Sequence, residues 1–574
     1  MRPSWLGATV PAMESLRPLI MGALVLLLTT AAAAQSGARL RAEYVPSWTA
    51  VPAARLLDLN YDPGLSDEQN GERLRLAVLG LVAGDHLRVS RGRWSVNNFF
   101  YAHLEGTSAA PIRITGEPGS VITRPNAGQN VFNLGGDGVT PLRYVLLRGF
   151  EIEGGSYGLR IHWAEDLWID QCHVHHTGAV AIGANTHNTT RLSITRCDVH
   201  NTSGTGEGIY LGANGGTIAA AEATVAMNHI HHTGGSQGDG IELKQGSYGC
   251  LIAENTIHDT QYPGVLCYGS GGQAINRIEN NTVWNTGANP FQVQGEALVR
   301  GNLVFARNGP ALQTAPHQGL PTRLAIVGNT FIAENGRAAT ISAWANEPGM
   351  VLRNNAFYAR SDVAVAVNGG LAGVDVGDNV IFGPLFGVPG GGGFIPGAGL
   401  ADMVDAAWDG SKRDARPVPG GALHLAGASI PGVSDLGQTG SVRGPDPSVG
   451  ALESGTYGRY LGASVPGAPR LRLRAPIDPT GLADALVEVQ GLNPGDRVVI
   501  GVNRAPTGLL PRSGPLPQSS SMRSIGIAGP GGTLRFIVPA AALVGLASEG
   551  VTLRASTLRG TSAGPWSRSM AIGL

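Results

Sequence analysis

A lysine preceded by two acidic residues is the pattern in this sequence best suited to chemistry. Lys244 follows Asp239 and Glu242 within residues 238–244, and it is one of only two lysines, the other being Lys412, in a chain with 41 Lys and Arg residues. An arginine stays charged, whereas an ammonium can lose its proton when its surroundings disfavour the charge. The segment therefore indicates Lys244 as a candidate general base, the alternative being a solvated surface lysine.

Oxygen-bearing side chains around Lys244 indicate a cation site. Glu207 and Asp239 take the same place in successive repeats of the chain, and stacked carboxylates repel each other unless a proton or a cation neutralises them. Calcium accepts oxygen ligands in flexible geometry, and Glu242 and Gln237 could add further oxygens. The sequence thus predicts a calcium cofactor on these four residues. The alternative is that Glu207 and Asp239 are solvated turn residues.

A repeat of about 26 residues must position these side chains. Its signature is an Asn or Cys with an apolar residue three positions before it and another two positions after it. The signature positions are Cys172, Cys197, Asn228, Asn255, Asn281, Asn302, Asn329 and Asn355. Short alternating strands with Gly-rich turns at a fixed period predict an all-β solenoid, in which the Asn side chains hydrogen-bond from coil to coil.

A second strand of each coil carries the site residues on its outward face. Its copies align by their apolar pairs as 158–162, 179–183, 208–212, 240–244, 264–268 and 290–294. Alternation directs Glu242 and Lys244 outward. Lys244 is then expected beside Gly212, which leaves open space, and beside Tyr268 on the next coil, about 4.8 Å away per step.

The outward face of this strand also supplies candidate substrate-binding residues. They are Arg160, His162, Tyr210, Glu242, Gln292 and Gln294. For Arg160 and His162 a plain ladder of surface side chains is the alternative. A further column, His175, His200, His231 and His258, could bind a transition metal. Because the column continues as Trp284, Phe305, Ile332 and Tyr358, it favours a packing position at a turn instead.

The regions outside the coils predict an exported protein of several parts. Residues 1–35 read as a signal peptide, with an apolar run after Arg17 and small residues before Gln35, so we expect a secreted or extracytoplasmic protein in the periplasm or at the cell surface. Residues 36–84 form an N-terminal segment in which 67–83 predict a helix that caps the first coil. Residues 85–455 are the repeat array, 456–468 a linker and 469–574 a C-terminal β-sandwich.

Composition limits the partners. A net charge of −1 gives no global attraction to nucleic acid, and an apolar run of about twelve residues is too short to span a membrane. Four cysteines are too few for a disulfide scaffold, although Cys172 and Cys197 could stack closely enough to bridge. We expect a monomer whose partner is an acidic polysaccharide.

The coils resemble a known fold, and residues 238–281 resemble a known active site. The repeat and its Asn turns, over roughly residues 85–455, are similar to the right-handed parallel β-helix of the pectate-lyase-like superfamily. Residues 238–281 look like the active-site coils of calcium-dependent alginate and chondroitin lyases. There, an acidic calcium ligand lies five residues before a lysine base, as Asp239 does before Lys244, and Glu207 matches a ligand one coil earlier. Tyr268 stands where that family has an arginine acid, and Gln237 where it has a second acidic ligand.

The resemblance implies a lyase that acts on a uronic-acid-containing polysaccharide by β-elimination. Calcium would neutralise the sugar carboxylate, Lys244 would remove the C5 proton and Tyr268 would protonate the departing O4. One alternative is a glycoside hydrolase of the polygalacturonase type, with Glu207 and either Asp239 or Glu242 as its carboxylate pair. The other is a non-catalytic glycan-binding or surface protein.

Overall fold

Three parallel sheets build the repeat array. The computed structural model describes residues 40–424, 426–428 and 448–452, together with the strand backbone between Arg459 and Ile572. The predicted signal peptide, residues 1–35, lies outside the described residues. Successive coils contribute strands to sheets A, B and C, and each strand pairs in parallel with its equivalents one coil before and one coil after.

The strand bounds follow the coils. Sheet A contains Arg55–Leu59, Asp85–Val89, Ile112–Gly116, Leu142–Arg148, Ala164–Asp170, Thr189–Thr190, Ser193–Thr195, Ala220–Ala221, Thr224–Ala226, Leu251–Ala253, Asn276–Glu279, Ala297–Arg300, Leu324–Val327, Val351–Arg353 and Asp375–Gly377. Sheet B contains Gly92–Ser95, Ser120–Arg124, Glu151–Gly154, His173–His175, Asp198–His200, His229–Thr233, Thr256–Thr260, Thr282–Thr286, Leu303–Asn308, Thr330–Asn335, Ala356–Ala359, Asn379–Phe382 and Phe394–Pro396. Sheet C contains Tyr101–Ala102, Phe132–Leu134, Leu159–Ile161, Ile182–Ala184, Ile209–Leu211, Ile241–Leu243, Val265–Cys267, Phe291–Val293, Leu312–Thr314, Ala339–Ser342, Val365–Asn368 and Leu385–Phe386.

The core lies inside the coils, where the alternation of the sequence places it. Ile241 and Leu243 of sheet C are fully buried, as are Ile169 and Val174 around the first signature position. All four belong to one continuous apolar cluster that runs through the array. Because each coil buries its apolar side chains against the neighbouring coils, stability comes from stacking rather than from any single coil.

A ladder of buried Asn side chains joins sheets A and B, as the sequence predicts. Asn255 illustrates it: its amide nitrogen donates to the carbonyl of Val225 at 2.9 Å and to Oδ1 of Asn281 at 2.9 Å, while its Oδ1 accepts from Asn228. The same pattern repeats from Asn228 to Asn379. Asn379 therefore extends the ladder one coil beyond the residues recognised in the sequence.

Each ladder residue is preceded by a residue with left-handed backbone. These residues are Gln171, Arg196, Met227, Glu254, Asn280, Gly301, Gly328, Asn354 and Asp378, with φ between 52° and 65°. A single left-handed residue bends the chain sharply between two strands, a conformation in which Gly and Asn are least strained. The turn from sheet A to sheet B is consequently made in the same way in coil after coil.

The alignment of the sheet C strands is correct except in one coil. Ile209, Ile241, Val265 and Phe291 are in register, as predicted. Residues 179–183 are displaced by two positions, because Ile182 pairs with Leu159 and Ile209. The buried Ala184 fills the second inward place in this coil, and so small a side chain gave no apolar signal. A shift by two keeps the same faces inward, but it places Gly183 rather than Ala181 beside Arg160.

One α-helix, Asp67–Leu79, precedes the coils of the described chain. Ser66 and Gln69 form a capping box at its start, and Leu74 and Val78 are buried in the core cluster. Its role as a cap on the first coil stays a prediction. The described 3₁₀ helices are Ala42–Tyr44, Ser47–Ala50, Asn214–Gly216, Pro389–Gly391 and Gly399–Asp402.

The outer face of sheet B changes character along the array. His175, His200, His231, His258 and Trp284 stack ring on ring at centroid distances between 4.4 and 5.2 Å. Further along, Phe305, Ile332 and Tyr358 continue the column and are covered by an antiparallel hairpin, Met403–Ala406 with Arg413–Pro417, and by Leu423. The apolar part of the column is therefore a second small core, whereas the histidine part is left partly exposed.

The C-terminal segment is antiparallel, unlike the coils. One sheet contains Arg459–Leu461, Arg497–Asn503, Ser521–Ile527, Val551–Arg559, Ser562–Ala563 and Ser569–Ile572, and another contains Arg470–Leu473, Ala485–Gln490 and Leu534–Val538. Its assignment as a β-sandwich stays a prediction.

The disulfide suggested by the sequence does not form. All four cysteines are buried free thiols. Cys172 and Cys197 instead occupy the Asn-ladder position of their coils, where the backbone nitrogen of Cys197 donates to Asn228. They serve as small core residues.

Candidate functional site

Lys244 follows the sheet C strand Ile241–Leu243 and lies at the centre of a buried polar cluster. It faces away from the apolar core, as predicted, but it is only 4% exposed, and Glu242 is only 2% exposed. The expectation of an open outward face is therefore wrong. Side chains from the neighbouring coils cover both residues, because the aromatic rings of Tyr210 and Tyr268 extend over the strand.

The ammonium of Lys244 has one anionic and two aromatic neighbours. Its Nζ forms an ion pair with Oε1 of Glu242. It also lies 5.0 Å from the ring centroid of Tyr210 and 5.3 Å from that of Tyr268, within the range of cation–π attraction. Tyr210 is on the preceding coil, paired with Glu242. The two rings and the carboxylate hold the lysine side chain in a single position.

The open space expected beside Lys244 at Gly212 does not exist. A Cβ on Gly212 would lie 2.8 Å from Oγ of Ser247, 3.0 Å from the carbonyl oxygen of Ile218 and 3.1 Å from Cβ of Lys244. Gly212 also has a positive φ of 81°, a conformation that other residues rarely adopt. The glycine is needed for close packing and a turn, and it leaves no room for a ligand.

Three carboxylates share the interior of the site with Lys244. Glu207, Asp239 and Glu242 are 3%, 3% and 2% exposed, and each has one buried oxygen without a hydrogen-bond partner. Burial, together with the charges of Glu242 and Glu207, raises the pKa of Asp239 to about 8. Burial also raises the pKa of Glu242, although Lys244 opposes the change. Unpartnered buried anions are costly, so the cluster suits either a proton or a cation.

The carboxyl oxygens fit the calcium site expected from the sequence in chemistry and in burial. Hard oxygen donors in a partly formed cluster are what Ca²⁺ accepts, and the unpartnered oxygens are Oε2 of Glu207, Oδ1 of Asp239 and Oε2 of Glu242. Gln237 differs from them, since it is exposed on the turn before the strand.

A small pocket opens beside Tyr268. It is lined by Leu266, Cys267, Tyr268, Gln292, Gln294, Gln313, Ala315, Pro316 and His317. Two of the expected substrate-binding residues, Gln292 and Gln294, therefore lie next to the candidate acid. Burial, and then the charges of Glu242 and Asp239, raise the pKa of Tyr268, so its hydroxyl keeps its proton at neutral pH.

One wall of the pocket comes from a segment that the sequence did not single out. After strand Leu312–Thr314 the chain turns back, and the ring of His317 stacks on Tyr268 at a centroid distance of 5.5 Å. The carbonyl oxygen of Gln318 accepts from Gln245 at 2.5 Å, and its backbone nitrogen donates to Gln294 at 2.7 Å. Residues 315–318 have no repeat signature, so nothing in the pattern marked them.

Arg160 and His162 lie apart from this pocket. Strand Leu159–Ile161 is three strands before Ile241–Leu243 in sheet C, a distance of about 14 Å at the usual strand spacing. The Arg160 guanidinium lies over the ring of Tyr157 at 4.2 Å, and His162 contacts Thr186 at 3.0 Å. Burial lowers the pKa of His162 to about 4. The structure does not bring these two residues to Lys244.

Comparison with known proteins supports the fold. Residues 207–381 match the family model of the right-handed beta helix region. The array is a right-handed parallel β-helix. Its three parallel sheets and its family match confirm the predicted fold and are consistent with a pectate-lyase-like architecture. No curated protein matches the sequence, and no described helix has the length and apolar character needed to cross a membrane.

Solved structures with detectable similarity to the β-helix differ widely in sequence. An alginate lyase from Paenibacillus sp. strain FPU-7 is 18% identical, with a TM-score of 0.33 over 52% of this chain and 96% of that chain. A pectate lyase is 13% identical, with a TM-score of 0.39 over 70% of this chain and 97% of that chain. The catalytic domain of an α-1,3-glucanase is 10% identical, with a TM-score of 0.32 over 59% of this chain and 67% of that chain.

Proposed function

We propose that the protein is a secreted polysaccharide lyase that cleaves a uronic-acid-containing polysaccharide by β-elimination. The observation that carries the proposal is the enclosure of Lys244 by Tyr210 and Tyr268 beside three carboxylates with unpartnered oxygens. β-Elimination needs a base for the C5 proton, an acid for the departing O4 and positive charge near the sugar carboxylate. The site has a residue for each task.

Lys244 is the base. Its ammonium is paired with Glu242, whose pKa is raised by burial, and a carboxylate of raised pKa readily accepts a proton. Transfer of one proton from Lys244 to Glu242 leaves a neutral amine that can remove the C5 proton of the sugar. Arginine could not replace lysine in this role, because a guanidinium keeps its proton.

Tyr268 is the acid. Its hydroxyl stays protonated because its pKa is raised, and its ring borders both Lys244 and the pocket. Tyr210 also borders Lys244, but it does not line the pocket. Tyr268 is therefore better placed to reach the oxygen of a sugar bound there. Gln292, Gln294 and Gln313 offer amide groups for the sugar hydroxyls.

Glu207, Asp239 and Glu242 would hold a calcium ion, with Gln237 as a further candidate on the exposed turn. When bound, the ion would neutralise the carboxylate of the uronic acid and make its C5 proton more acidic. The residues themselves keep the negative charge next to Lys244, which orients the lysine and draws its proton toward Glu242. Residues 315–318 form the outer wall of the pocket and exclude water from Tyr268.

The decisive experiment follows the product. Purified protein is incubated with alginate, pectate, glycosaminoglycans and glucuronans, each with calcium or with a chelator, and the ultraviolet absorbance of the unsaturated sugar is recorded. We expect absorbance with at least one acidic polysaccharide, and less of it with the chelator. New reducing ends without this absorbance on every substrate would overturn the lyase proposal.

A glycoside hydrolase is the second candidate, and the pKa of Asp239 favours it. A carboxyl group with a pKa of about 8 is protonated at neutral pH and can act as a general acid, with Glu207 or Glu242 as the second carboxylate. The same experiment separates the two functions, since hydrolysis releases reducing ends without forming a double bond.

A further inference from the structure

Sheet B carries a second polar cluster, remote in the fold from the sheet C strand of Lys244. Strand Asp198–His200 pairs with strand His229–Thr233, so that Asp198 lies beside His229 and His200 beside His231. The side chains of Asp198, His229 and His231 are between 16% and 34% exposed. The sequence showed the column of His231 but gave no sign that Asp198 and His229 complete a set of ligands.

The three side chains converge on one point. Oδ1 of Asp198 lies 3.3 Å from Nδ1 of His229 and 3.2 Å from Nε2 of His231, and all three ligand atoms are within 4.8 Å of one another. Ligands bound at about 2.0–2.1 Å in a tetrahedral site are separated by about 3.3 Å. The spacing therefore suits one small divalent ion, with a fourth position open to water.

The second nitrogen of each histidine is already engaged. Nε2 of His229 lies 2.8 Å from Nε2 of His258, whose Nδ1 contacts Asp259 at 2.7 Å. Nδ1 of His231 lies 2.7 Å from Nδ1 of His232. His232 has a left-handed backbone, with φ of 50°, which turns it toward its neighbour. Such outer contacts are what fix the orientation of metal-binding imidazoles.

Counting protons shows what is missing between Asp198 and His229. His258 donates its Nδ1 proton to Asp259, so a neutral His258 can only accept at Nε2, and His229 must donate there. A neutral His229 then has no proton on Nδ1, and its lone pair faces the carboxylate oxygen of Asp198. Two lone pairs at this distance repel unless a cation lies between them.

The same arrangement occurs two coils earlier. Glu151 pairs with His173, and His175 is followed by His176, just as Asp198 pairs with His229, and His231 is followed by His232. Glu151, His173 and His175 also bring their ligand atoms within 4.8 Å of one another, and Nε2 of His175 lies 3.2 Å from Glu151. The recurrence makes a chance meeting of polar side chains a poor explanation.

We propose that Asp198, His229 and His231 form a site for a divalent transition-metal ion that joins two coils of sheet B. Two imidazoles and one carboxylate suit ions such as Zn²⁺, whereas Ca²⁺ prefers oxygen ligands. Ring stacking in the column uses the faces of the imidazoles, and the ion uses their edges, so the two interactions coexist. The site is independent of the proposed lyase chemistry.

The test measures zinc bound to the full chain. Wild type, the double variant His229→Ala/His231→Ala and the control His187→Ala, whose histidine is exposed outside the cluster, are titrated with Zn²⁺ by calorimetry after treatment with a chelator. We expect the double variant to bind one ion fewer than wild type and the control to match wild type. His232→Ala, which removes an outer contact, should weaken zinc binding about 10–100-fold.

A second readout guards against a folding defect. Zinc should raise the melting temperature of wild type and of the control, and the double variant should lose part of that rise while keeping the circular dichroism of the β-helix. Equal zinc stoichiometry in wild type and double variant, or no zinc bound by wild type, would overturn the proposal. Neither result bears on the lyase, since the unsaturated product is measured separately with Glu207 and Lys244 intact.

Discussion

Lys244 forms an ion pair with Glu242, the residue two positions before it on the same face of the β-helix. Both side chains are almost fully buried. A buried pair of this kind is costly to break, because removal of one partner leaves an uncompensated charge. The pair therefore fixes the protonation of the site as well as its geometry, and it makes the role of Lys244 directly testable.

Replacement of Lys244 is expected to abolish elimination. Lys244→Ala removes the base, and Lys244→Arg keeps the charge but cannot release a proton, so both should lower kcat about 10²–10⁴-fold. Lys412→Ala is the matched control, because Lys412 is exposed and paired with Asp405, and it should leave activity unchanged. The readout is the rate of unsaturated product. Full activity in Lys244→Ala would rule out Lys244 as the base.

The two tyrosines around Lys244 should behave differently. Tyr268→Phe removes the proposed acid and should lower kcat about 10²–10⁴-fold with little change in KM. Tyr210→Phe keeps its ring over Lys244 and should lower kcat less than about tenfold. Steady-state kinetics on the same substrate compare the two. The reverse order would assign the acid to Tyr210.

Stability should fall as pH rises, because of Asp239. Its folded pKa of about 8 lies above the ordinary value of 3.8, so the folded state retains a proton that the unfolded chain releases. The stabilisation is complete below about pH 4 and is lost as pH rises toward about 8, with an upper limit of about 5 kcal/mol.

Asp239→Asn is the matched variant for this pH dependence, since it keeps the shape and removes the titration. Urea unfolding of wild type and Asp239→Asn at about pH 5 and about pH 8 measures the difference. Calcium should flatten the wild-type dependence by favouring the ionised carboxylate. A wild type as stable at the higher pH as at the lower one would show that Asp239 ionises normally.

The Asn ladder should contribute strongly to stability. In Asn255→Ala, two buried donors of Asn228 lose their acceptor and the carbonyl of Val225 loses a donor, so we expect a loss of about 2–4 kcal/mol. Asn368 is exposed and contacts only Ser342 among the described residues. Asn368→Ala should change stability by less than about 0.5 kcal/mol. Chemical denaturation of both variants tests whether burial of the ladder is what matters.

The repeat made much of the fold readable. The period and the alternation placed Ile241 and Leu243 in the core and Asn255 in a ladder, because every coil must satisfy the same packing and hydrogen-bond requirements as its neighbours. Where one coil departed from the pattern, as at Ala184, the alignment slipped by two residues. A small residue buries too little surface to reveal its register.

The sequence by itself determined the β-helix and placed Glu207, Asp239, Lys244 and Tyr268 near one another, because strand register follows from periodic apolar residues. Only the tertiary structure decided that this cluster is buried, that Gly212 is packed shut and that His317 covers Tyr268. It also brought Asp198 to His229 and His231. These outcomes depend on side-chain directions and on irregular segments between strands, which obey no repeat and are fixed only when the coils stack.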